Sequence, residues 1–378
     1  MNQILIISFW NPIPLVPKKG LFIFEQVNAV CKRRNDVVFL EVNILPAKQF
    51  FYKTISEIAL HTNKVITINI YSLFWKLILV NPWLLYWLLQ KYLKAFHLNK
   101  PKIIHSNIIF PCAIVGYLLA KKWNAKHIIS EHWSQIEKYA KHPIFKRLIT
   151  KVYNNCKAIM PVSDFLAKKI RTVTENPNVF VIPNVIDTQL FTYVPKVQDS
   201  EELRFSCVAA WEEPKRLDLI VTSLASFAKN SPKNIILNVI GGGSQTKDFS
   251  SFRCPSNLTI NWIGYISKPE IAKFLTKTDI FLQASEIETF SIVTAEALST
   301  GTPVLVSNVG ALPEFINADN GVLVENILEA WISGLQAITE KKYDNQKIAL
   351  EICGKYSPDS VAAKIESIYN TLLISDNI

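Results

Sequence analysis

Short apolar runs alternate with stretches of helical period along almost the whole chain, and few architectures accept that rhythm. Such alternation builds βαβ units, which form a parallel sheet covered on both faces by helices. In the first half, strands are expected at Ile4–Ser8, Asp36–Val42, Lys64–Asn69, Lys102–His105, His127–Ser130, Ala158–Pro161 and Val179–Ile182. Helices such as Leu21–Arg34 and Cys112–Trp123 fill the gaps. A second series begins at Leu203, with strands at Arg204–Ala209, Ile235–Ile240, Leu258–Trp262, Ile280–Gln283, Pro303–Ser307 and Gly321–Val324. Between the series, Phe191–Glu202 (FTYVPKVQDSEE) is polar, holds Pro195 and follows neither period. A chain of 378 residues exceeds one ordinary core. The expected organisation is α/β, with a doubly wound domain at 1–190, a linker at 191–202, a second such domain at 203–356, and a terminal amphipathic helix within 357–378.

The net charge of +10 is unevenly spread. Residues 1–195 carry 25 Lys and Arg against 9 Asp and Glu, a net of +16, whereas residues 196–378 carry 16 against 22, a net of −6. The split supports two domains and points the first at an anionic partner. An anionic membrane surface fits better than nucleic acid, because no nucleic-acid-binding motif accompanies the charge. The six cysteines lie far apart without a CxxC pair or Cys/His cluster, which argues against a disulfide framework or structural zinc site and suits a reducing compartment. The opening MNQILIISFW reads as a buried strand rather than a secretory signal.

Tyr71–Phe96 (YSLFWKLILVNPWLLYWLLQKYLKAF) is the most apolar segment. A spanning helix needs about 20 unbroken apolar residues. Lys76 interrupts this run and Asn81-Pro82 breaks it, so two short helices are expected. They either pack against a sheet or present an interfacial aromatic surface beside Lys91 and Lys94.

In doubly wound sheets, ligands sit beyond the carboxyl ends of the strands, where tight turns and helix N-termini meet phosphate. Neither half carries GxGxxG, and the P-loop pattern is absent. Gly241-Gly242-Gly243 lacks the dinucleotide spacing, which argues against a nicotinamide or flavin enzyme. The richest stretch is Gln283–Gly301, QASEIETFSIVTAEALSTG, a strand end leading into a helix from about Ser291. It places Glu288 in the entering loop and Glu296 inside the helix, an E-x7-E spacing. Two such carboxylates suit vicinal hydroxyls on a sugar and a ribose, and the helix start suits phosphate. Spacing alone equally permits a capping Glu and a solvent-facing one.

The context resembles glycosyltransferase family 4, the retaining, nucleotide-sugar-dependent enzymes of the GT-B fold. Ser285-x-x-Glu288-x-Phe290, then Glu296-Ala297 and Gly301-x-Pro303-Val304, are similar to the family signature. NVGALPEFI (308–316), NGVLV (320–324), Trp262-x-Gly264-Tyr265, Asp279-x-Phe281 and IPNVID (182–187) follow the family's order. In the first half, Gly20-x-Phe22-x-x-Glu25-Gln26, Ile103-Ile104-His105, Ser130-Glu131-His132 and Val162-Ser163 do the same.

The resemblance implies a GT-B fold of two Rossmann-like domains facing each other across a cleft. Catalytic groups by that likeness are Glu288, which holds donor-sugar hydroxyls, His132, which approaches the reacting sugar, and Lys215, which clamps the diphosphate. The accompanying family Arg falls near Ala210, so Arg216 either replaces it or faces solvent. Glu296 is placed on the ribose, Thr289, Phe290 and Ser291 on the donor loop, where the family has Gly at 289 and 291, and Tyr265, Ile266 and Gly242 near the nucleoside. Lys19 and Gly20 lie in the loop expected to approach phosphate and acceptor. His105 reads as structural, and His61, His97, His127 and His142 have no motif support.

The implied activity is that of a hexosyl-type glycosyltransferase (EC 2.4) acting on a glycan or lipid-linked hydroxyl in cell-surface polysaccharide or lipopolysaccharide synthesis. It would work from the cytoplasm as a peripheral protein at the inner-membrane face. No metal or other cofactor is expected, since the chain holds no DxD, and no nucleic acid is a partner. Alternatives are a nucleotide-sugar-binding assembly protein without catalysis, a GT-B epimerase, which would need further acid/base groups, or a sugar phosphorylase, whose pyridoxal-binding lysine context is absent.

Overall fold

The structure is a computed structural model describing residues 3–12, 19–48, 50–95, 100–196, 201–249 and 252–374. Its contacts divide the chain into two units, Met1–Val185 with Pro358–Ile378, and Ile186–Ser357. Each is an α/β unit with its own sheet.

The first unit contains β1 (Ile4–Ser8), β2 (Val37–Pro46), β3 (Tyr52–Leu60), β4 (Asn63–Ser72), β5 (Ile103–Asn107), β6 (Lys126–Glu131) and β7 (Ala158–Pro161). Its helices are α1 (Leu21–Arg33), α2 (Trp75–Val80), α3 (Pro82–Ala95), α4 (Ile114–Trp123), α5 (Ile136–Ala140), α6 (Pro143–Asn155) and α7 (Asp164–Arg171). The strands lie in the order β3-β4-β2-β1-β5-β6-β7, all parallel except β3, which pairs antiparallel with β4. Alternate residues of β1 serve two cores: Ile4 and Ile6 face one layer, Leu5 and Ile7 the other. A strand covered on both faces must be apolar throughout, which is why its signal is so plain in sequence. The chain parts β1 from its neighbour β5 by a crossover, and this reversal point opens a crevice at their carboxyl ends.

The second unit contains β8 (Glu202–Ala210), β9 (Asn234–Gly242), β10 (Leu258–Gly264), β11 (Ile280–Gln283), β12 (Val304–Ser307) and β13 (Gly321–Val324). Between them run α8 (Leu217–Ala228), α9 (Ser244–Asp248), α10 (Lys268–Leu275) and α11 (Ile292–Ser299), followed by α12 (Leu328–Glu340) and α13 (Asn345–Tyr356). All six strands are parallel, ordered β10-β9-β8-β11-β12-β13. Their reversal point lies between β8 and β11.

The last helix, α14 (Pro358–Ile374), belongs to the first unit. Val361, Ala362, Ile365 and Tyr369 join the core that holds Ile4 and Ile6. Arg33 Nε donates to Glu366 at 2.9 Å, and Arg34 Nη1 to Asn370 at 2.8 Å, fixing α14 along α1.

Three expectations change. The stretch expected as a linker is packed down over its described part: Phe191 is fully buried, its carbonyl accepts from Ser299 Oγ at 2.6 Å, and Glu202 already begins β8. Its residues 197–200 lie outside the described set, and the division between units falls earlier, after Val185. The expected strand Val179–Ile182 is reduced to a bridge from Val179 to Ile159: Phe180 N donates to Ile159 O and Ile182 N to Pro161 O, both at 2.9 Å, but Pro161 has no N–H to return the bond between them. The strand β3 was not expected. It carries polar residues on a largely exposed edge, so it lacks the apolar run that marks its neighbours.

Candidate active site

In the second unit, the loop from β11 to α11 delivers Glu288 beneath the carboxyl ends of the central strands. Glu288 is nearly buried, and its Oε1 accepts from Lys215 Nζ and from Gln283 Nε2, the latter at 3.0 Å. Lys215 comes from the loop after β8, pinned where Lys215 bridges Ser285 and where Arg216 N donates to Ala284 O at 3.2 Å. The cation and the carboxylate thus arrive from β8 and β11, on either side of the reversal point. A desolvated pair held on rigid strand ends is preorganised for a charged ligand.

Behind Glu288, Gly310 is required by space. Its φ is +58°, and a Cβ would lie 2.0 Å from Glu288 O. Gly310→Ala should destabilise the second unit by about 2 kcal/mol or more, through left-handed strain and this clash. Urea denaturation with activity assays on the folded fraction checks it. Residual activity should also fall, because the Glu288 backbone must move.

Ser291 starts α11 with φ +70° and ψ +76°, left-handed values that cost a residue with a Cβ on the order of 1 kcal/mol. Its Oγ contacts Thr294 Oγ1 at 2.8 Å. Thr289 sits half-buried beside it. Phe290 turns inward, stacking on Phe315 at 5.6 Å and meeting Tyr356 edge-on at 5.2 Å, so it anchors the loop instead of facing a ligand. The first N–H groups of α11 have no acceptor within the helix and carry its positive end.

Glu296 is almost wholly buried inside α11 and pairs with Lys268 Nζ at 3.1 Å. Lys268 opens α10 and also lies 5.9 Å from the Phe191 ring centroid. Lys268 follows Tyr265 and Ile266 by only a short turn and lies in none of the motifs quoted above. Arg216 does not join Lys215: its guanidinium forks onto Asp218 at 2.7–2.9 Å, with Glu286 at 3.8 Å. That pairing fills the donor fork with carboxylate, so the expected diphosphate role is not what this conformation displays.

The nucleoside-side residues also have defined settings. Tyr265 is exposed and its hydroxyl donates to Gly242 O at 2.6 Å. A Cβ on Gly242 would press on the Tyr265 ring at 3.0 Å. Ile266 is half-buried next to it.

In the first unit, His132 follows β6. Its Nδ1 lies 3.1 Å from Asn184 Oδ1, and its Nε2 has no hydrogen-bond partner among the described residues. Since Asn184 Oδ1 only accepts, Nδ1 holds the proton and Nε2 is left as an acceptor. Burial lowers its pKa to about 4, so the ring stays neutral at pH 7. Phe22 lies against it at 4.6 Å between ring centroids. The neighbouring Glu131 is fully buried and gathers the backbone N–H groups of Ile109, His132 and Trp133 and the hydroxyl of Tyr153, at 2.8–3.0 Å. Burial raises its pKa to about 7 despite these donors. This carboxylate shapes the β6 end and was quoted in the sequence only as a motif letter.

His105 is buried between Tyr369 OH at 2.6 Å and Ser130 Oγ at 2.8 Å, a structural tie between α14 and the sheet. His127 Nε2 contacts Ser106 Oγ at 2.9 Å. Gly20 caps α1 with φ +67°, close under Trp10 O, which a Cβ would meet at 1.8 Å. Half-buried Lys19 lies 5.4 Å from the Trp10 ring centroid, and burial lowers its pKa. The rest of the expected phosphate loop, residues 13–18, lies outside the described residues, as do His97 and, for its side chain, Lys94.

Two family models match in tandem. One, described as Glycosyltransferase Family 4, covers residues 23–190, and the other, Glycosyl transferases group 1, covers residues 194–349. The chain belongs to glycosyltransferase family 4. Among relatives of this glycosyltransferase, an uncharacterised glycosyltransferase of Methanocaldococcus jannaschii is 25% identical over 280 residues, 71% of this chain and 75% of that protein. Among solved structures, sucrose-phosphate synthase of Thermosynechococcus elongatus aligns with a TM-score of 0.73 at 17% identity, covering 98% of this chain and 99% of that one. Anabaena HepE, solved with UDP, aligns with a TM-score of 0.71 at 13% identity, over 98% and 100%. The fold is GT-B, and the enzyme is a hexosyl-type glycosyltransferase of EC 2.4.

Proposed function

We propose that this glycosyltransferase moves a hexosyl group from a nucleoside diphosphate sugar to a hydroxyl of a glycan or lipid-linked acceptor, with retention at the anomeric carbon. The acceptor belongs to cell-surface polysaccharide or lipopolysaccharide synthesis, and the enzyme works peripherally at the cytoplasmic face of an anionic inner membrane. The observation that carries the donor half is the Lys215–Glu288 pair at the strand reversal point, beside the α11 N-terminus. The UDP bound to Anabaena HepE supports a nucleoside diphosphate ligand for the shared fold.

In this reading the sugar hydroxyls bind the Glu288 carboxylate. The bond from the anomeric carbon to the diphosphate oxygen breaks, and Lys215 with the N–H groups near Ser291 stabilises the negative charge that develops there. The acceptor oxygen bonds to the same face, and its proton passes to a departing phosphate oxygen. His132 Nε2, neutral and unpartnered, accepts a hydrogen bond from a hydroxyl of the reacting sugar. Glu296 receives the ribose hydroxyls as Lys268 yields, while Ile266, Gly242 and Tyr265 border the base. Lys19 and Gly20 border the acceptor or its phosphate, and Thr289 lines the sugar loop. Charge neutralisation is assigned to protein groups, so no metal or other cofactor is invoked.

A thermal-shift panel of UDP, GDP, ADP and their sugars tests the donor assignment. One base series at 100 times its Kd should raise Tm by about 5–10 °C. Lys215→Met should remove most of that rise, and no response to any nucleotide would sink the assignment.

A further inference from the structure

The helices α2 and α3 are apolar on both sides. Ile78, Leu85, Leu89 and Tyr92 point into the core beside Val42 and Ile66. Facing away, Leu73, Phe74, Leu77, Val80, Trp83 and Trp87 are exposed, Trp83 to 56% and Trp87 to 62%. From Phe74 onward these outer residues recur every three or four positions, straight through the break at Asn81-Pro82. Phe50, from the loop before β3, meets Phe74 edge-on at 5.4 Å and extends the cluster. Single exposed apolar side chains are ordinary, but a contiguous group of this kind marks an interaction surface.

Its charge surroundings select the partner. Lys48, Lys53, Lys76 and Lys91 are exposed around it. Between residues 42 and 95 the one acidic residue is Glu57, which is engaged by Lys64 at 2.8 Å. A second copy of the chain meeting this face symmetrically would set lysine against lysine with no acid to pair them. An anionic leaflet supplies phosphates for the lysines and an interfacial layer for the indoles. No described helix is long and apolar enough to cross a membrane. We propose that the outer face of α2–α3, with Phe50, is a docking surface for an anionic phospholipid bilayer, with Trp83 and Trp87 seated in its interface. The inference rests on the peripheral-membrane element of the proposed function and names the surface responsible.

The test is co-sedimentation with vesicles of equal parts phosphatidylglycerol and phosphatidylcholine. The protein should pellet with them and bind pure phosphatidylcholine at least several-fold less. Trp83→Ser with Trp87→Ser should lower binding at least tenfold, and Lys76→Glu with Lys91→Glu should abolish the preference for anionic lipid. Brominated lipid should quench tryptophan emission in the parent and much less in the double tryptophan variant. Because these side chains are exposed, circular dichroism should be unchanged. Parent-like partitioning of either double variant overturns the proposal, as does a parent dimer that the tryptophan changes dissolve without any vesicle binding. The nucleotide thermal-shift assay separates the two failures. Vesicle binding that the double variants retain defeats the surface alone, a donor response with no vesicle binding by the parent defeats the surface together with the peripheral-membrane reading, and vesicle binding without a donor response defeats the donor assignment alone.

Discussion

Glu288→Gln should lower kcat/KM for sugar transfer by at least about a thousandfold while leaving the fold intact, a loss of roughly 4 kcal/mol in transition-state stabilisation. The parent carboxylate takes both the Lys215 ammonium and the Gln283 amide on Oε1. A glutamine presents the same volume but no charge, so Lys215 loses its counterion and, on the proposed donor assignment, the sugar hydroxyls lose a charged acceptor. Because the site is half closed to solvent, neither loss is made good by water. Since the substitution removes no apolar packing, the urea midpoint should shift little. Donor-dependent product formation, read against the unfolding curve, is the measurement. Activity within tenfold of the parent would remove Glu288 from the chemistry.

The first unit should be acid-labile well above the pH at which carboxylates titrate. Burial lowers the pKa of His105 and His127 to about 3 and of His132 to about 4, from 6.5. Their folded forms therefore stay neutral, while the unfolded chain takes up protons below about pH 6.5. Stability is fully present above that value and is lost as the pH falls toward 4. The cost of each histidine approaches about 1.4 kcal/mol per pH unit as the unfolded chain becomes protonated, and sums to about 5 kcal/mol for the three between pH 6.5 and 5. Glu131 opposes them. Its pKa is raised from 4.5 to about 7, so its contribution is present at low pH and lost as the pH rises through 7. Over the same interval it returns about 2 kcal/mol on acidification, leaving a net loss of about 3 kcal/mol. That is a large fraction of an ordinary domain's stability. Urea unfolding of the first unit at pH 7 and 5, followed site by site through hydrogen exchange, should show the drop. His127→Asn should flatten the pH slope by about one proton. A slope unchanged by that substitution would contradict the account.

Much of this was legible in the sequence because parallel strands buried on both faces are continuous apolar runs. Ile4–Ser8 and Ile280–Gln283 are examples, and Asn81-Pro82 marked the break between α2 and α3. The loop-to-helix transition near Ser291 was equally readable, since the turn and the helix start it leads into are local in sequence. What escaped was either exposed or distant. The edge strand β3 has no buried face to leave a signature. Lys268 meets Glu296 from another helix, 28 residues away, and Asn184 meets His132 across 52 residues. The two readings of the aromatic helices both describe real faces: one packs on the sheet, the other is exposed.

The placement of α14 affects the order in which the protein can form. Its Val361, Ile365 and Tyr369 complete a hydrophobic layer whose other members, such as Ile4 and Val27, leave the ribosome more than three hundred residues earlier. Synthesis runs from the amino end and domains tend to fold as units. Here the continuous middle segment can close as soon as it emerges, while the leading lobe keeps that apolar layer open until α14 has followed the second unit out.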